Sequence, residues 1–94
     1  MNKYEAMIIV KPDLSEEEKK TFSAQAGEAV VKFKGEVTNF ALWSDKKRMY
    51  FPIKKFNDGT YYLMQFSAPS EAIAELKNAY RLNEFILRVL VTRQ

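Results

Sequence analysis

"KYEAMIIVKPDLSEEE", residues 3–18, decides how the chain begins. Residues 3–10 read as a strand that stops at Lys11-Pro12-Asp13, because a proline interrupts a sheet ladder. Ser15 is followed three residues later by Glu18, the spacing of a capping box. Glu16, Glu17 and Glu18 put acids in a first turn, where the helix dipole favours them. The chain therefore opens with a strand running into a capped helix.

Working outward, Phe22, Ala26, Ala29, Val30 and Phe33 recur at helical spacing. They predict one amphipathic helix over about residues 15–33, with Gly35 at its C-terminal cap. EVTNFALW, 36–43, is a second extended segment, and KKRMYFPIKK, 46–55, continues it. Asn57-Asp58-Gly59 predicts the turn, and TYYLMQF, 60–66, returns as the next strand. Ala68-Pro69-Ser70 opens a second helix with Ile73, Leu76, Ala79 and Tyr80 on its buried face. Asn83 ends it, and FILRVLVT, 85–92, is the last strand. The order β-α-β-β-α-β makes residues 1–94 a single α+β domain of the ferredoxin-like type. Right-handed crossovers put both helices on one face of a four-stranded antiparallel sheet. The other face is left bare.

Parity tells which residues lie on that bare face. Ala6/Ile8/Val10, Tyr62/Met64/Phe66 and Leu87/Val89/Val91 are assigned to the core. The opposite face then carries Met7, Ile9, Tyr61, Leu63 and Leu90, with Arg88 among them. A solvated antiparallel face normally alternates to polar. This one stays apolar, which predicts a surface that meets a partner.

Composition narrows the chemistry. With 47% apolar and 29% charged residues, the sequence describes an ordinary globule. There is no cysteine and no histidine. A thiol nucleophile, a zinc site of the usual kind and a Ser-His triad are therefore excluded. Glycine stands only at 27, 35 and 59, none placed as a phosphate cradle beside an arginine. No enzyme activity, metal or cofactor is expected. No apolar run reaches the ~20 residues that span a bilayer, and the N-terminus lacks a signal-peptide core, so a cytoplasmic protein is expected.

Charge is concentrated in one place. Residues 1–45 hold six Lys/Arg against eight Asp/Glu, and 56–94 hold four against four. The net +3 comes from Lys46, Lys47, Arg48, Lys54 and Lys55 on the central hairpin. Cations this dense repel one another unless a polyanion supplies countercharge, and phosphate is the obvious one. Tyr50 can stack on an unpaired base. Lysines and Pro52 on an exposed edge also deter sheet-to-sheet aggregation, so the cluster alone does not decide.

Several residues together bring a family into view. They are Tyr4-Glu5, Pro12, Trp43, the basic run into Met49, Phe51-Pro52-Ile53-Lys54, Gly59 before aromatics, and Tyr80-Arg81-Leu82-Asn83-Glu84 before Leu87-Arg88. In order and spacing the sequence resembles the bacterial small-subunit ribosomal protein six family over nearly its whole length. The resemblance implies a structural constituent of the small subunit. Such a protein binds the central domain of small-subunit ribosomal RNA together with small-subunit protein eighteen. It carries the RNA role to Lys46, Lys47, Arg48, Lys54 and Lys55, and to Lys3, Tyr4 and Arg88, while Tyr50 joins them from the stacking argument alone. Parity assigns the protein partner to Met7, Ile9, Tyr61, Leu63 and Leu90. Ser44-Asp45 replaces the family's usual turn glycine with one extra residue, and Tyr50 replaces a small one, so a bulge is expected there. Many members continue in a charged tail past the last strand; this sequence stops at Gln94.

Two other binding modules share the topology. An RNA-recognition domain needs a glycine-aromatic run on its third strand, which TYYLMQF lacks. A small-molecule regulatory domain would dimerise through the bare face.

Overall fold

The first strand made is an inner strand of the sheet. In the computed structural model, which describes residues 2–53 and 56–94 and the side chains outside 44–55, β1 (Asn2–Val10) lies between β3 (Phe56–Ala68) and β4 (Ile86–Arg93). β2 (Glu36–Ile53) flanks β3, giving the order β2-β3-β1-β4 with every pair antiparallel. Helices α1 (Glu16–Lys32) and α2 (Ile73–Arg81) are the crossovers, the second entered through one 3-10 turn at Ser70–Ala72. This is the ferredoxin-like arrangement that the element order predicts.

The ends of α1 are fixed by local chemistry. Glu18 N–H donates to Ser15 Oγ at 3.1 Å, and Ser15 N–H donates to a Glu18 carboxylate oxygen at 3.0 Å, a complete capping box. At the far end Lys34, not a glycine, takes the left-handed conformation at φ 67°. Lys34 N–H donates to Val31 O at 3.0 Å and Gly35 N–H to Val30 O at 2.8 Å, the two bonds of a Schellman motif. The left-handed position is thus one residue before Gly35, where the cap is expected, and Gly35 is needed for room rather than for its φ. A Cβ there would sit 2.7 Å from Ser67 O and 2.8 Å from Val30 Cγ1.

The core lies between the helices and the even-numbered residues of β1 and β3. Ala6, Ile8, Val10, Met64 and Phe66 are buried against Phe22, Ala26 and Val30 of α1 and Leu76 and Tyr80 of α2. Phe22 packs on Tyr62 with centroids 5.1 Å apart, and Phe40 of β2 closes the group at 5.5 Å from Tyr62. Tyr80 donates its hydroxyl to Ala26 O at 2.6 Å and so ties the helices together. Burial pushes its ionisation well above the ordinary tyrosine range, so it stays a neutral donor.

Two expectations are corrected. Asn57-Asp58-Gly59 is not the hairpin turn but part of β3, because β2 and β3 stay paired through Lys47–Gly59 and Arg48–Asp58 out to Ile53–Phe56. The other concerns β4. Val10 pairs with Ile86 while Ile9 pairs with Arg88, a bulge that leaves Leu87 over. Ile86 therefore enters the core, and Leu87 turns to the opposite face, where it packs beside Ile9. Val89 and Val91 return to the core side, as parity predicts.

Candidate interaction surfaces

Across the helix-free face the side chains form rows that run strand to strand. Register places Ala41, Leu63, Met7 and Leu90 in one row over all four strands. The next row toward the hairpin runs Tyr61, Ile9, Arg88, with the backbone of Ser44 paired to Tyr61. In the opposite direction lies the polar row Asn39, Gln65, Glu5, Thr92. The apolar character is thus confined to the half of the sheet nearest the hairpin.

That half contains a small cluster of its own. Ile9 and Leu87 are buried against each other's surroundings, with Phe56 and Tyr61 packed on them. Trp43 meets Tyr61 edge-on with ring centroids 6.0 Å apart, yet stays 54% exposed. Leu90 is 51% exposed, and Met7 and Leu63 are half-buried. An apolar band with this much open area faces water at a cost that contact with another apolar surface would remove. All five residues assigned to the partner, Met7, Ile9, Tyr61, Leu63 and Leu90, lie on this face. The sequence reading missed Trp43, Phe56 and Leu87. The β2 parity that places Trp43 is broken by register shifts on either side of Ser44, and the bulge that turns Leu87 has no local sequence mark.

Beyond the end of β1, β2 and β3 continue as a two-stranded arm. Between the pairs Arg48–Asp58 and Ile53–Phe56, β2 advances five residues while β3 goes back two, so β2 carries the irregularity expected around Tyr50. Lys46, Lys47, Arg48 and Tyr50 lie on the β2 side of this arm; their side chains, and Lys54 and Lys55 altogether, lie outside the described residues.

The remaining RNA candidates are scattered. Arg88 is exposed, in the row that leads to the foot of the arm. Lys3 is also exposed, but it pairs with Ser67 at the far end of the sheet, about 20 Å from Ile9 at a strand's rise per residue. Tyr4 requires a correction. It has the core parity, is 6% exposed and stacks on Phe66 with centroids 5.6 Å apart, so its ring is not open to a base. Among the described residues, no group of three or more Asp or Glu is arranged to hold a metal ion.

Comparison with known proteins agrees with this geometry. The family model described as Ribosomal protein S6 matches residues 3–93. Small ribosomal subunit protein bS6 of Geotalea daltonii is 46% identical over 88 residues, covering 94% of this chain and 68% of that protein. The protein of the same name from Caldanaerobacter subterraneus is 38% identical over 93 residues, covering 99% and 97%. The crystal structure of 30S ribosomal protein S6 from Thermotoga maritima superposes with a TM-score of 0.88 at 28% identity, covering 99% of this chain and 87% of that one.

Proposed function

The chain belongs to the ribosomal protein S6 family, and from that premise we propose that it is a structural component of the small ribosomal subunit in the cytoplasm, binding the central domain of its RNA jointly with small-subunit protein eighteen. The apolar rows on the helix-free face carry this reading, because they stand immediately beside the cationic arm. A partner seated on Met7, Ile9, Tyr61, Leu63 and Leu90 covers the exposed band and comes to lie beside the arm.

The arm then supplies phosphate contacts through Lys46, Lys47, Arg48, Lys54 and Lys55, which position the complex without reading sequence. Tyr50 adds a stacking surface for an unpaired base. Arg88 extends the contact along its row, and Lys3 offers a separate one at the far end. Nothing in this mode of action needs a catalytic group. Recognition rests on shape, charge and one shared boundary between RNA and partner.

Binding of central-domain small-subunit RNA, with and without protein eighteen, tests the proposal for the wild type and for Arg48→Glu/Lys54→Glu. Partner-dependent binding that weakens steeply with salt and is lost in the charge-reversed variant is the expected result. Unchanged binding by the variant removes the RNA site from the arm. A stable homodimer that binds no RNA overturns the reading in favour of a regulatory domain paired through its sheet.

A further inference from the structure

A second cationic feature lies away from the arm, in the groove between α2 and the outer edge of β4. Its volume is about 430 Å³, and it is lined by Lys77, Arg81, Ile86, Leu87, Arg88 and Val89. We propose that this groove is a second phosphodiester-binding site, which holds the same RNA at the opposite corner of the sheet. The proposal rests on the RNA reading above.

Its charge is unbalanced locally. Residues 77–88 contain three cations against one acid, Glu84. None of the three cationic side chains has an ion-pair or hydrogen-bond partner among the described residues. Lys77 and Arg81 stand four residues apart on α2, where like charges face each other and repel. Arg81, in the last turn, is favoured by the helix dipole; Lys77 and Arg88 have no such compensation. An anion between them relieves all three.

The remaining walls suit a sugar-phosphate chain. Ile86 and Leu87, 2% and 6% exposed, and the half-buried Val89 give an aliphatic floor. β4 is an outermost strand, so one side of its backbone faces the groove side without a neighbouring strand. The loop before it is held firmly: Asn83 Nδ2 donates to Gln25 Oε1 at 2.8 Å, and Phe85 N–H donates to Asn83 Oδ1 at 2.9 Å. The groove's lip is therefore preformed.

Location favours RNA over an acidic peptide. The backbone pairing Ser44, Tyr61, Ile9, Arg88 links the foot of the arm to the groove, across three strand spacings or roughly 14 Å. A polyanion lying over that end of the domain reaches both cationic sets, with the partner-binding face between them.

The test uses Lys77→Gln/Arg81→Gln, both exposed positions, with circular dichroism and melting to confirm the fold. Affinity for central-domain RNA in the presence of protein eighteen is measured as a function of salt. At about 0.1 M salt it is expected to fall at least tenfold, with the logarithmic salt slope shallower by about two. Unchanged affinity and slope, with the arm variant still losing binding, overturn the groove and leave the RNA reading standing. Unchanged RNA binding together with lost capture of a poly-glutamate peptide overturns it in favour of an acidic protein segment. Failure of the wild type to bind RNA overturns both.

Discussion

The two faces of the sheet are built from similar side chains and meet opposite fates. On the covered face Ala6, Ile8, Val10, Met64 and Phe66 reach zero to 1% exposure under α1 and α2. On the other, Met7 and Leu63 stay half-buried and Leu90 is 51% exposed, although they alternate with the core residues along the same strands. Hydrophobicity alone does not tell the faces apart. What differs is that the chain supplies its own lid for one face and none for the other. The covered face belongs to the stability of the fold, and under the proposed function the open one belongs to assembly.

Four substitutions break or sharpen that contrast. Phe66→Ala removes a ring from the covered face and is expected to cost about 3–5 kcal/mol in urea unfolding. A loss no larger than that of an open-face substitution would erase the distinction. Gly35→Ala strikes the seam where the end of α1 meets β3; with Ser67 O only 2.7 Å from the new methyl group, about 2 kcal/mol should be lost. Lys34→Gly, one residue earlier, should act in the opposite direction. It removes the left-handed penalty at φ 67° and is expected to raise stability by about 1 kcal/mol, seen as a higher melting temperature. Smallest of all is Leu90→Ser, within about 0.5 kcal/mol in the isolated chain. Its signature is elsewhere: affinity for protein eighteen should drop by about tenfold if the open face is the contact.

Most of the architecture was legible because the signals were local and agreed with one another. The capping box at Ser15, the helical spacing of Phe22, Ala26 and Val30, and the alternation along β1 and β3 each name one structure. What escaped was set by pairing rather than by composition. Asn57-Asp58-Gly59 has strong turn chemistry, but the register of β2 against β3 carries it into a strand. Gly35 has the right type for a left-handed cap, yet the hydrogen bonds to Val30 and Val31 place that conformation at Lys34. Leu87 fits a regular alternation that the β4 bulge interrupts. Of the candidate site, the apolar rows followed from parity alone. Tyr4 was misplaced because the resemblance outweighed its own even parity, and Trp43 was left unplaced because β2 shifts register beside it.

The position of β1 has a consequence for the order of events in the cell. Its partners are Thr60 to Ala68 on one side and Ile86 to Arg93 on the other, so the first strand to emerge is the one whose neighbours arrive last. Contacts this distant in sequence slow folding, because long loops must close before they are rewarded. During synthesis the helix-forming segment of α1 can curl early, while β1 waits for residue 68 to emerge before one edge can pair and for residue 93 before the other is filled. The sheet of this family member is thus complete only when its last-made strand is free to pair with its first.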